Sequence, residues 1–375
     1  MKNSSELVCI AVNELFTNQT VMTIIFAIQA VSTLPTTLVG VFLAIAIGKT
    51  TSLHFNIRIL LINLSISAVV TNCGIGIVAI YQLFAIFSAT SEVHLCHLMA
   101  LSRKSCRDLR ILYNLGSLPP VIGLLFLAIE RLIATVQYRT YEQKGRKIIG
   151  ISLTAIQWLI VVVVQLYHND NESEIVAPYC QSVLSNPQVT EYFVGVMLII
   201  QLVSFMVFLL LVRSNKQKMA SYRVNYEAHQ LSIRYQLEEN VKTTKLMIPI
   251  SAANCAIFAF SLIVILFFTN SLTESVELTT AAARSVVLMA PWIELTVLSM
   301  PLFIVTFCCV SVVYSLPMRA SVFRLLGLGD SGRSIRVAEA AVTENADAQN
   351  IYFRQLQDQW RRTEVSDAAR QQSRA

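Results

Sequence analysis

The sequence predicts an all-α membrane protein, a seven-transmembrane helix bundle with its N-terminus outside and its C-terminus in the cytosol. Three observations lead there. The 375-residue chain is 55% hydrophobic and only 14% charged, whereas a soluble domain carries roughly 25% charge. The apolar residues fall in seven blocks, at about 21–48, 59–88, 109–129, 148–167, 192–212, 246–269 and 285–314. Lys and Arg favour alternate connections, 14 after the first, third and fifth blocks against 6 on the other side when Arg110 at the outer end of the third block is included, the asymmetry that orients membrane helices.

Each block is expected to be a helix. Hydrocarbon offers no water to the backbone, so amides and carbonyls must pair within the segment. About 20 residues at ~1.5 Å rise then cross ~30 Å of hydrocarbon. Residues 1–20 lack an apolar core long enough for a cleavable leader. They read as an extracellular arm, with the first span acting as the targeting signal. Asn3, Asn18 and Asn171 each open an N-x-S/T sequon on the expected outer side and are candidate glycosylation sites.

The second span carries Asn63, Ser67, Thr71 and Gly74 at a spacing that lines one helical face. Small and polar residues on one face favour helix packing; a signalling or ion relay is the sharper alternative. The third span is expected to open with Arg103, Arg107 and Arg110 and to close on Glu130-Arg131, with Pro119-Pro120 interrupting it. Cys106 lies 24 residues before Glu130, ~36 Å along a helix. One helix would thus carry both an outer disulfide and an inner acid–base pair. Pro249 is expected to kink the sixth span, and Pro291 and Pro301 the seventh. Glu294 sits about nine residues into the seventh span, ~13 Å deep. Charge at that depth usually faces a cavity or a partner. Arg110, Tyr113, Asn114 and Glu294 are therefore the expected pocket residues, with Arg110 and Glu294 either paired or touching ligand.

Residues 317–328 read as an amphipathic helix on the membrane surface, with Arg319 and Arg324 turned to lipid phosphates. Residues 329–375 are polar and charged and read as a disordered cytoplasmic tail. Among eight cysteines, Cys9, Cys96, Cys106 and Cys180 fall on the expected outer side, where disulfides persist. Four cysteines allow three pairings. Cys106–Cys180 is favoured, which would pin the second outer loop to the top of the third span, and Cys9–Cys96 comes second. Cys73, Cys255, Cys308 and Cys309 fall in spans and read as small buried apolar residues.

Several chemistries are set aside. The G-x-G-x-x-G run at 327–332 follows no strand. His94, Cys96 and His97 have no second pair to complete a zinc site. No catalytic triad or phosphate loop is recognisable, so neither enzyme nor cofactor is expected. The net charge of +6 is spread over loops that flank spans, which argues for a lipid bilayer and against nucleic acid.

Four stretches resemble a known family. They are Leu53-His54-Phe55-Asn56 with Arg58, Cys106-Arg107-Asp108-Leu109-Arg110, Glu130-Arg131-Leu132-Ile133-Ala134-Thr135 with Tyr141-Glu142, and Leu231 to Asn240. Over residues 50–315 the chain resembles the nematode serpentine chemoreceptors of the Sra superfamily, class alpha/beta (Srab). The resemblance implies a G-protein-coupled receptor at the plasma membrane, in the ciliated endings of sensory neurons. It would bind a small-molecule chemical cue and signal to a heterotrimeric G protein. Glu130, Arg131, Tyr141, Arg234 and Glu239 would serve coupling and activation, with Glu238 or Glu239 as a resting contact for Arg131. Leu132 stands where rhodopsin-like receptors carry tyrosine, and Pro301 lacks the surrounding Asn-Pro-x-x-Tyr signature. A ligand-gated channel or transporter of the same topology is the competing reading, and a membrane scaffold acting through its tail is a third.

Overall fold

The computed structural model describes residues 4–16, 20–50, 53–137, 148–167, 176–177, 180, 187–224, 231–273 and 280–327. Seven of its helical stretches are long and apolar enough to cross a membrane, at Thr20–Lys49, Phe55–Ser88, Ile111–Val136, Ile148–Leu166, Val189–Ala220, Leu237–Phe267 and Val286–Tyr314. They coincide with the seven apolar blocks. Large apolar side chains stand exposed along them, among them Val31, Leu34, Phe84, Phe87, Leu159 and Phe267. An apolar perimeter of this extent would aggregate in water; against acyl chains it is the expected surface of a multi-pass membrane protein.

In chain order the helices are α1 (Ser4–Phe16), α2 (Thr20–Lys49), α3 (Phe55–Ser88), α4 (Glu92–Met99), α5 (Arg103–Leu109), α6 (Ile111–Val136) and α7 (Ile148–Tyr167). Then follow α8 (Pro187–Val224), α9 (Leu231–Thr273), α10 (Thr280–Val297), α11 (Ser299–Tyr314) and α12 (Leu316–Leu325). Two short strands, β1 (Leu101–Ser102) and β2 (Val176–Ala177), pair antiparallel. The chain divides at Arg319 into the bundle and a C-terminal unit that begins at Ala320. Of that unit, the described residues complete α12 and a turn in which Gly327 takes a φ of 71°, the left-handed conformation that ends many helices.

Helix α6 is the axis of the bundle. Its apolar window is 72% buried, against 17% for α7. Leu118, Val121, Leu124 and Leu127 share a core with Leu60, Leu64, Phe208, Met247, Phe303 and Phe307. The crossing of α3 and α6 depends on two glycines. A Cβ on Gly74 would land on the main chain of Tyr113, and one on Gly116 on the main chain of Thr71. Small residues let helix backbones approach this closely. The polar face of α3 is thus a packing face. Asn63 donates to Gln157 Oε1 at 2.9 Å and accepts from Trp158 Nε1 at 2.8 Å, while Ser67 and Thr71 bond carbonyls within α3.

Several expectations are corrected. Pro119-Pro120 does not interrupt α6, which runs unbroken through both. Proline's fixed φ suits a helix; what it removes is a donor. The carbonyls that lose a donor are those of Leu115 and Gly116, one turn earlier; in the same stretch, Gln157 donates to Pro119 O at 2.7 Å and Gln201 to Val121 O at 3.0 Å. The sixth span likewise continues through Pro249. The seventh does break, at Leu298, between α10 and α11. Pro301 lies in the first turn of α11 and offers no N–H to Val297 O. Cys106 and Glu130 are not on one helix, because the chain turns at Arg110 between α5 and α6.

The N-terminal arm contains a helix. One face of α1 buries Val8, Ala11, Val12, Leu15 and Phe16 against α4, α2 and α10. Cys9 bonds Cys96 of α4, and Cys106 of α5 bonds Cys180, with Cα separations of 5.1 and 5.3 Å. Of the free cysteines, Cys73 and Cys309 are exposed rather than buried, as their places on outward helix faces require. Arg319 turns back to donate to Val312 O at 3.1 Å and Val313 O at 3.0 Å, satisfying the end of α11.

Candidate functional site

Two buried charge clusters mark the ends of the bundle. The first lies toward the disulfides. Arg110, at the turn between α5 and α6, donates from Nη2 to Glu294 Oε1 at 2.9 Å. Gln29 of α2 donates from Nε2 to Glu294 Oε2 at 2.8 Å and to the Glu294 carbonyl at 3.1 Å. All three side chains are at most 3% exposed. The Arg110 guanidinium stands 5.9 Å from the centroid of the Tyr113 ring, within cation–π range. The cluster joins α2, the start of α6 and α10. A buried ion pair persists only when its remaining polar atoms are also bonded, and Gln29 contributes to that.

A cavity of about 200 Å³ adjoins the cluster, bounded by α6, α8, α9 and the broken seventh span. Tyr113 and Asn114 line it. Arg110 and Glu294 do not; they line a separate space of about 10 Å³ that shares Tyr113 and Val297 with the cavity. The break at Leu298 opens here, since Thr296, Val297, Ser299 and Met300 all form its wall.

The second cluster lies at the far end of α6. Glu130 grips Arg131 with both carboxylate oxygens, at 2.6 Å to Nε and 2.7 Å to Nη2. The remaining nitrogen, Nη1, donates to Asn240 Oδ1 at 2.9 Å and Thr243 Oγ1 at 3.2 Å. Both partners belong to α9. Glu238 pairs with Lys242 at 3.0 Å on the exposed face. Glu239 is half-buried, and its carbonyl accepts the Thr243 hydroxyl at 2.8 Å. Helix α8 is tied to the same end, with Asn215 donating to Thr135 Oγ1 and Lys218 to Thr135 O, both at 3.0 Å.

Sequence reasoning singled out Arg110, Glu294, Glu130 and Arg131, and the structure joins them into two pairs. It missed Gln29, Asn240 and Thr243 as their partners. Gln29 is an amide inside an apolar block, the same signal that marked Glu294. Asn3, Asn18, Tyr141 and Asn171 lie outside the described residues, as does the tail from residue 328 onward. Arg234 falls within α9, but its side chain also lies outside them.

Comparison with known proteins agrees with this architecture. A profile described as serpentine type 7TM GPCR receptor class ab chemoreceptor matches residues 6–361. Serpentine receptor class alpha/beta-14 of Caenorhabditis elegans is 31% identical over 276 residues, 73% of this chain and 68% of the relative. A second protein of that organism, named "Probable G-protein coupled receptor", is 23% identical over 240 residues, 61% of this chain and 60% of its own length. With seven spans, two disulfides and a profile that matches nearly its whole length, the chain belongs to the class ab serpentine chemoreceptor family, and it is a multi-pass membrane receptor of the G-protein-coupled type.

Proposed function

We propose that this receptor detects an external small-molecule cue and transmits it to a heterotrimeric G protein. The plasma membrane holds it with the N-terminus outside, so the disulfide end meets the cue and the Arg131 end meets the G protein. Residence in the ciliated endings of sensory neurons follows from the family resemblance. The observation that carries the proposal is the bonding of Arg131. Its guanidinium is held by Glu130 on one side and by Asn240 and Thr243 of α9 on the other. That arrangement closes the end of the bundle where a G-protein helix would enter.

Ligand shifts such a closed state only by binding the open state more tightly. The cavity suits that role because its wall includes both flanks of the break at Leu298 and several residues of α9. Movement of α9 at the cavity would withdraw Asn240 and Thr243 from Arg131, exposing the arginine to the partner. Arg110 and Glu294, with Tyr113 between them and the cavity, hold α10 against α6 while α9 moves.

The test is coupling of the receptor to a G protein in a heterologous cell, read as second messenger or as recruitment of an engineered Gα domain. Arg131→Ala is expected to abolish coupling while leaving surface delivery intact. Normal coupling in that variant, or ligand-evoked current in a cell without G proteins, would overturn the proposal in favour of a channel.

A further inference from the structure

We infer that the cavity between α6, α8, α9 and the seventh span binds a small, uncharged, mainly apolar molecule carrying one or two hydrogen-bonding groups, and that it discriminates against carboxylates and ammonium ions of the same shape. This rests on the receptor reading for its consequence but on the cavity alone for its chemistry.

Three features of the wall decide the ligand class. Among the described residues it has no carboxylate, amine, guanidinium or imidazole: apart from Tyr113, their polar groups are hydroxyls and one amide, including Asn114, Ser117, Ser261, Thr296 and Ser299. The nearest buried charges, Arg110 and Glu294, neutralise each other at 2.9 Å. Neither is therefore available as a counter-ion. A charge entering this space would lose part of its hydration and find no counter-charge among the described wall residues, which is unfavourable. A hydroxyl or carbonyl, by contrast, finds side-chain groups able to satisfy it.

Size is the second constraint. An apolar cavity of about 150 Å³ suffices for benzene, so about 200 Å³ takes a substituted monocycle or a short branched chain.

The third feature is the route. Phe193 of α8 forms part of the wall yet is 41% exposed. It opens a stretch, residues 192–212, that contains no charged residue. Phe193 therefore lies between the cavity and the apolar perimeter of the bundle. Molecules that partition into the bilayer are concentrated at that ring, and they are the uncharged apolar ones that the wall accepts.

The experiment is ligand-dependent stabilisation of the full-length receptor in lipid nanodiscs, using three probes of one shape: cuminyl alcohol, cuminate and cuminylamine. The alcohol is expected to raise the melting temperature saturably. Both charged congeners should bind at least about tenfold more weakly, the lower bound for leaving a charge unpaired. Filling the space with Ser117→Phe or Ser261→Phe should remove the alcohol's effect. Because a filled variant can fail to fold, the charge series on the unsubstituted receptor decides by itself. Equal stabilisation by all three probes, none by the alcohol, or an undiminished effect in both filled variants overturns the inference. No G protein is present, so failure here leaves coupling through Arg131 standing, and loss of coupling in cells leaves the cavity's selectivity standing.

Discussion

Arg110 and Glu294 are 184 residues apart in the chain and 2.9 Å apart in the structure, almost fully buried at the meeting of α6 and α10. Removing one partner leaves the other as an uncompensated buried charge, a loss of about 3–5 kcal/mol, whereas replacing both by apolar residues is often nearly neutral. Arg110→Met and Glu294→Leu should each lower the melting temperature of the purified receptor sharply. The double variant should recover most of it. Additive losses in the double variant would show that the two side chains do not form a coupled pair.

Asn240 Oδ1 and Thr243 Oγ1 of α9 both accept hydrogen bonds from Arg131 Nη1. Hydrogen bonds to a charged group contribute about 1.5–3 kcal/mol each. Their loss should free α9 and raise coupling in the absence of ligand. Asn240→Ala with Thr243→Val is expected to increase basal signalling about tenfold or more by that estimate, the opposite direction to Arg131→Ala. Basal second-messenger output at matched surface expression measures it.

The glycines divide by their neighbours. Gly116→Ala and Gly74→Ala would drive a methyl into the opposing backbone of α3 or α6, and no side-chain rotation relieves a clash with main chain. Both should reduce folded receptor at the surface severely. Gly195 in α8 has no neighbouring atom within 4 Å of such a methyl. Gly195→Ala should be neutral or stabilise by up to ~1 kcal/mol through helix propensity. Quantitative surface labelling and thermal unfolding separate the three.

The Cys9–Cys96 disulfide spans 87 residues, a loop whose closure is worth about 4.6 kcal/mol in the chain-entropy description. Cys9→Ser with Cys96→Ser should lower the melting temperature and raise hydrogen exchange in α1. The helix should remain partly protected, because Val12 and Leu15 are fully buried without help from the sulfur. Complete exchange of α1 in the variant would mean the disulfide alone holds it.

The number and placement of the membrane helices were legible in the sequence because hydrocarbon imposes two demands on any spanning segment, a minimum apolar length and internal hydrogen bonding. Both are properties of a contiguous stretch, so composition reports them. The charged residues worth attention were legible for the same reason: Glu294 and Arg131 stand out where a charge is costly. The polar, apolar-flecked residues 4–16 were not legible as a helix. Their apolar face becomes helical by packing on α2, α4 and α10, partners that no local pattern names. Nor could the chain show that Arg110 is paired with Glu294 and tied to Gln29, that Arg131 reaches Asn240 with its Nη1, or that the described wall of the cavity carries no charged side chain. Each of these depends on which helices become neighbours and how closely they approach. Close approach of the α3 and α6 backbones at Gly74 and Gly116 sets that distance, and it exists only once the bundle has formed.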